Sequence, residues 1–310
     1  MILNINLGGD NTLLNSQTLC FEWLRSKKED VKPSTYNKYE MIINNYLISF
    51  FEKNTLEQLN IEVIKQYLMK LINKGLSSSI VQSIKNVLKA IYITYEDQYG
   101  LNHIDFSLVK IEQDKKENEY LTDKQFNQLH QYCMKEKNDI CLSILFAMDT
   151  GMMIGEICAL KVSDIDLDKQ LIHISKRTQR IKNDEEGSKT VYDIYEVEWP
   201  ILRDITIPKE LFFYLQEYLD CVDKDCYLTS CQDVVSDFTK LQRGLDRIGH
   251  ILGFKTTFKD LRNMYKERCL RSCMDIHIVM ELLGVQSMKL SLPENYKSSD
   301  EEKKKQINKL

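Results

Sequence analysis

The sequence predicts a mainly α-helical protein of two domains, the second holding a small antiparallel β-sheet. Three observations lead there. Apolar residues recur at steps of three and four through most of the chain. That rhythm lapses in the charged stretch 111–119, which separates a helical first part from a longer second one. Within 171–207 it gives way to alternation, as short strands require.

Residues 1–15, with Gly8, Gly9, Asp10 and Asn11, have no periodic pattern and read as a flexible arm. From Ser16, the residues Leu19, Cys20, Trp23 and Leu24 form an apolar stripe that stops at Lys27 and Lys28. Pro33 suits the first turn of a long second helix, where its missing N–H and fixed φ cost nothing. That helix carries Tyr36, Tyr39, Ile42, Ile43, Tyr46 and Leu47 on one side. Asn54 has the place of an N-cap with Glu57 three residues on. Ile64, Tyr67, Leu68 and Leu71 mark a further helix, ended by Gly75. Ser77 to Ser79 can cap the next, with Val81, Ile84, Val87, Leu88 and Ile91 along one face. Residues 16–110 therefore read as an all-α domain, and 111–119 as a linker.

Thr122 and Gln125 make a capping box that opens the second domain, 120–296. Leu142 to Met148 are almost wholly apolar, as in a helix buried on every side. Gly151 breaks that helix and 154–160 restart a short one. Residues 171–174, 191–197 and 204–207 read as strands of one small sheet, with a loop over 182–188. Helices follow at 209–219, 235–252, 258–271 and 276–283. Residues 297–310 form a polar, charged tail.

Composition excludes several classes. Hydrophobic content of 43% and charged content of 28% fit ordinary globular domains. No apolar run is long enough to cross a bilayer, and residues 1–10 lack a basic segment followed by an apolar one. A cytoplasmic location, without membrane partners, is expected. The nine cysteines include Cys221, Cys226 and Cys231 at a spacing unlike that of zinc sites. They read as reduced, buried small hydrophobes, so no metal is expected. Net charge is −4, unfavourable for a polyanionic partner. Yet 240–271 holds nine Lys/Arg against three Asp/Glu, and a local basic face binds phosphate whatever the total.

Two stretches carry chemistry. One is Thr150-Gly151-Met152-Met153-Ile154-Gly155-Glu156. The other is Lys259-Asp260-Leu261-Arg262, followed by Leu283-Gly284-Val285 and Tyr296. With EWLRSKKEDVKPSTYNKYEMIINNYL and YLTDKQFNQLH upstream, these words resemble, in order and over nearly the whole chain, the tyrosine recombinase (phage integrase) family.

The resemblance implies a helical, SAM-like core-binding domain at 16–110 and a catalytic-type domain at 120–296, together clamping double-stranded DNA. In that family a tyrosine hydroxyl attacks the scissile phosphate, with cations around it and neither metal nor other cofactor. Carried over, Tyr296 is the nucleophile, while Arg262 and Lys259 are catalytic cations. Lys266 falls on the face they share. Lys38, Lys85, Lys89, Arg243 and Arg247 become candidate DNA contacts, although any solvated helix carries such residues. The tail after Tyr296 could pass to a neighbour and build a homo-oligomer on DNA.

Three family positions are altered. The first arginine is replaced by Met153, although Glu156 is kept. The lysine expected ahead of Arg203 is missing from 197–202, leaving Lys189 as a substitute. The following histidine is Val285. Losing one preorganised donor costs about 3–4 kcal/mol, a hundred- to thousandfold in rate. The first reading is thus a DNA-binding family member with impaired chemistry. Two alternatives stay open. One is an active recombinase whose site is rebuilt with Arg177, Arg180, Lys182 or Lys189. The other is an interaction module that no longer binds DNA.

Overall fold

A computed structural model describes residues 15–112, 120–182, 190–219, 222–223, 225–288 and 304. The expected arm (to residue 14), most of the linker, the loop with Lys189, Cys221, Tyr296 and nearly all of the tail lie outside the described residues. The chain divides into two compact units, Met1–Asn118 with Gln179–Asp193, and Glu119–Thr178 with Ile194–Leu310.

In the first unit, α1 (Ser16–Ser26) starts where the Asn15 side chain accepts from the N–H groups of Gln17 and Thr18. α2 (Pro33–Ile42) begins on its proline and runs through a π-turn, Ile43–Leu47, into α3 (Ile48–Phe51). The long second helix thus contains a π-bulge. A 3-10 turn, Leu56–Gln58, follows, and its cap is Thr55 rather than Asn54. The Asn54 amide instead donates to the Phe50 carbonyl at 2.9 Å, while Thr55 N–H reaches Gln58 Oε1 at 3.0 Å. α4 (Ile61–Asn73) is capped by Asn60, and α5 (Ser78–Glu96) by Ser77. Ile43, Leu47, Ile64, Leu68, Ile84, Leu88 and Ile91 form the centre of this unit's core. Two hydroxyls lock the helices: Tyr67 donates to the Tyr46 carbonyl at 2.7 Å, and Tyr95 to that of Leu19 at 3.1 Å.

In the second unit, α6 (Asp123–Glu136) sits behind the Thr122–Gln125 capping box. α7 (Asp139–Thr150) is buried along nearly its whole length because α6 and three later helices pack on it, which is why its sequence is apolar all round. α8 is Ile154–Ala159. β1 (Ile165–Asp166) and β2 (Leu171–Ile174) come next, then β3 (Lys176–Lys182) and β4 (Thr190–Glu196), of which Gln179–Asp193 count with the first unit, and β5 (Arg203–Thr206). The single sheet expected is in fact two. One has the order β1-β2-β5, antiparallel, with Ile172 opposite Ile205; the other pairs β3 with β4. β3 (KRTQRIK) lacks apolar alternation, so no pattern announced it. α9 (Lys209–Leu219) and α10 (Phe238–Leu252) follow. α10 starts at Phe238, later than residue 235, because the Asp237 carboxylate caps it by accepting from Thr239 N–H at 2.6 Å. α11 (Phe258–Arg271) and α12 (Ile276–Leu283) complete the described elements of regular length. No helix among the described residues is long and apolar enough to cross a membrane.

The cysteines depart from expectation. Cys20, Cys133, Cys141, Cys158 and Cys269 are buried, but Cys231 and Cys273 are exposed. Both occupy left-handed backbone positions, φ +54° and +59°, where a turn rather than a core sets the environment.

Candidate functional site

The site starts at the carboxyl end of α7. Gly151 terminates that helix at φ +67°, and a Cβ there would stand 2.4 Å from Tyr265 Cδ1, so both conformation and space demand glycine. Met152 is fully buried. Met153 is extended and forms the N-cap of α8. Having no side-chain acceptor, it cannot close a capping box, but Glu156 reaches back and accepts from Met153 N–H at 2.8 Å.

Glu156 is the electrostatic centre of this unit. It is 1% exposed, and its carboxylate is gripped by Arg203, Nη1 to Oε1 at 3.1 Å and Nη2 to Oε2 at 3.0 Å. Arg203 uses its remaining reach on carbonyls: Nε donates to Leu282 at 2.8 Å and Nη1 to Ile201 at 2.8 Å. A Cβ on Gly284 would lie 2.8 Å from Arg203 Nη1, so Gly284 leaves room for this guanidinium. The pair joins α8, β5 and α12. A carboxylate so occupied is a structural anchor. Arg203 was absent from the predicted site. Its signal was there: β5 alternates inward and outward, and Arg203 shares the inward face with Ile205, where a charge must have a partner.

Arg262, on α11, is the second guanidinium drawn inward. Its Nη1 donates to the Gly151 carbonyl at 2.6 Å and its Nη2 to that of Leu283 at 2.7 Å, so it bridges both sequence boxes. Nη1 lies 4.0 Å from Glu156 Oε2. Burial pushes its pKa down to about 10; Glu156 opposes that shift, and the charges of Arg203 and Arg177 add to it. Arg262 therefore stays charged near neutrality, and two bonded N–H groups leave three more for an anion.

Arg177, on β3, approaches from above α8. Its Cγ and Nε both lie 3.3 Å from where a Cβ of Gly155 would be. Among the described residues its side chain has no hydrogen bond or ion pair.

The remaining candidates are spread out. Lys259 is exposed on α11 and Lys266 half-buried, while Arg243 and Arg247 are exposed on α10. So Lys259, Arg262 and Lys266 share a helix, but Arg262 alone points into the box junction. Arg180 donates to Thr190 Oγ1 at 2.7 Å within its hairpin. In the first unit Lys38 and Lys89 are exposed. The Lys85 ammonium is spent on the carbonyl of Val109 at 2.7 Å, and burial lowers its pKa. It fastens the chain after α5. Val285 is half-buried beside Cys269, Val279 and Leu283. It also lines a cavity of about 300 Å³ with Trp199, Pro200, Arg203 and His277. Trp199, from the stretch where a lysine was expected, is 75% exposed.

Comparison with known proteins gives concordant results. Residues 119–303 match the phage integrase family, and residues 17–72 match the phage integrase N-terminal SAM-like domain. A tyrosine recombinase XerC-like protein of Caldanaerobacter subterraneus subsp. tengcongensis is 25% identical over 299 residues, covering 86% of this chain and 74% of the relative. Tyrosine recombinase XerA of Pyrococcus furiosus is 27% identical over 228 residues, 72% of this chain and 71% of the relative. The integrase of transposon Tn1549, solved in complex with a circular intermediate DNA, superposes with a TM-score of 0.78 at 16% identity, over 95% of this chain and 99% of that one.

Proposed function

This chain belongs to the phage integrase family, and from that premise we propose that it binds double-stranded DNA site-specifically while cleaving it feebly or not at all. The observation that carries this is the asymmetry of the box junction. The anchoring half is intact: Glu156, Arg203, Gly151 and Arg262 interlock. The chemical half is thinned: Met153 and Val285 bring no charge to their positions, and 197–202 bring Trp199 where a lysine is expected. Binding needs basic surfaces, which α10 and α11 offer through Arg243, Arg247, Lys259 and Lys266. Cleavage needs preorganised cations and a leaving-group acid, several of which are gone. The Tn1549 integrase was solved holding DNA, and duplex DNA is the partner proposed here, bound in the cytoplasm by a homo-oligomer joined through the C-terminal tail.

The test is to pass sheared genomic DNA from the source over the purified protein at moderate salt and sequence what is retained. A recovered inverted repeat, with affinity falling steeply as salt rises, supports the reading. Random fragments or none would favour an interaction module. A nicked duplex carrying the repeat then separates impaired from active chemistry. Little covalent adduct is expected, and an abundant adduct that Tyr296→Phe abolishes would establish the active recombinase instead.

A further inference from the structure

Two of the altered family positions meet in one cavity. Trp199 stands in the stretch where a lysine is expected, and Val285 where a histidine is expected. Both line the cavity of about 300 Å³ between the chain ahead of β5 and α12. That volume is at the lower end of the range for ligand pockets and suits one small ring system. Met280 adds an apolar wall, and His277, Glu281 and Gln286 bring polar groups. The side chains of those three have no hydrogen bond or ion pair among the described residues. Arg203 reaches the cavity too, but its guanidinium is committed to Glu156 and to two carbonyls. Trp199 is 75% exposed, more than any other large apolar side chain among the described residues.

We propose that this cavity receives one unpaired nucleobase of the bound DNA, stacked on Trp199. Three features select a base. A large flat ring left in water finds a partner in any nucleobase, because every base has a π-face, and an unpaired base is the one free to offer it. Glu281 presents a carboxylate with no cation paired to it among the described residues. It repels a phosphate but accepts from the amino group of a base, while His277 and Gln286 can each donate or accept along the base edge. The cavity is also continuous with the box junction, since Arg203 lines the one and anchors the other. This rests on the DNA-binding reading and deepens it: positions that have lost proton-moving groups hold a base instead and favour DNA that is locally unpaired.

The test uses the full chain and two duplexes of one sequence, one with an unpaired adenine at its centre and one with an abasic site in its place. The two carry the same phosphates, so the base alone differs. Intrinsic fluorescence reports the contact, because the chain has two tryptophans and the other, Trp23, lies in the core of the first unit. The unpaired adenine should quench Trp199 emission and bind roughly tenfold tighter than the abasic duplex, as stacking of one base does. Trp199→Ala should erase that preference and Trp199→Phe keep part of it. Phe213→Ala, which removes an exposed aromatic of α9, should match the wild type. Glu281→Ala should narrow the preference for adenine over an unpaired thymine, which has no amino group. Emission unmoved by the unpaired adenine would overturn the proposal, as would a Trp199→Ala variant, folded by its thermal melt, that keeps the preference. Emission that shifts with protein concentration in the absence of DNA would assign this face to a second copy of the chain, and overturn it too. If both duplexes bind with equal affinity, this inference fails and the DNA-binding reading stands. If neither binds at low salt, the broader reading fails with it.

Discussion

Replacing Arg203 by Met isolates what holds the box junction together. The guanidinium is 3% and the Glu156 carboxylate 0% exposed at the side chain, so removing one charge strands the other away from water. Breaking a buried pair in this way costs about 3–5 kcal/mol. Two contacts remain to Glu156, the Met153 N–H at 2.8 Å and Arg262 Nη1 at 4.0 Å. They place the expected loss toward the lower end, about 3 kcal/mol. In native-state hydrogen exchange, the slowest amides of α7 should then exchange roughly a hundredfold faster. The double variant Glu156→Gln with Arg203→Met carries no buried charge pair and should recover most of the loss, a coupling of more than about 1 kcal/mol. If Arg203→Met costs less than about 1 kcal/mol, or if the double variant costs the sum of its singles, the pair is no anchor and the argument fails.

Other outcomes follow from single contacts. Gly151→Ala must accept φ +67° and a Cβ 2.4 Å from Tyr265, so urea denaturation should show a loss of about 2–4 kcal/mol, with Arg262 displaced from its carbonyl acceptor. His130 Nε2 donates to the Asp149 carboxylate at 3.0 Å, and that hydrogen bond raises its pKa above the ordinary 6.5. The stability it adds is full below pH 6.5 and lost as pH rises through the raised value. Asp149→Asn should therefore destabilise more at pH 6 than at pH 8, read by thermal melts at both. Lys85→Met leaves the Val109 carbonyl without its donor and should cost about 1–3 kcal/mol in the first unit. Finally, among the cysteines of the described residues, a thiol-exchange reagent should modify exposed Cys231 and Cys273 first. Cys20, whose thiol burial pushes up to about 12, should react on unfolding alone.

Much of the fold was legible because it rests on local chemistry. Helices announce themselves through apolar stripes and caps, and Ser77, Thr122 and Gly151 act where their side chains or φ preferences dictate, whereas Asn15, read as the end of the arm, is the N-cap of α1. Strands of mixed polarity do not: β3 is built of charged and polar residues, and only its pairing with β4 makes it a strand. Caps can also mislead by one residue, as at Asn54 and Thr55, because several polar side chains compete for the same N–H groups.

Sequence alone determined the helical class, the two boxes, the buried character of α7 and the absence of charge at Met153 and Val285. These are properties of residue type and spacing. Tertiary structure decided which charges meet. Glu156, Arg203 and Arg262 are far apart in the chain, and Arg177 lies on a strand that no pattern predicted. Whether a guanidinium is free for a ligand or spent on a carboxylate depends on packing distances, and those exist only once α8, β5, α11 and α12 have come together.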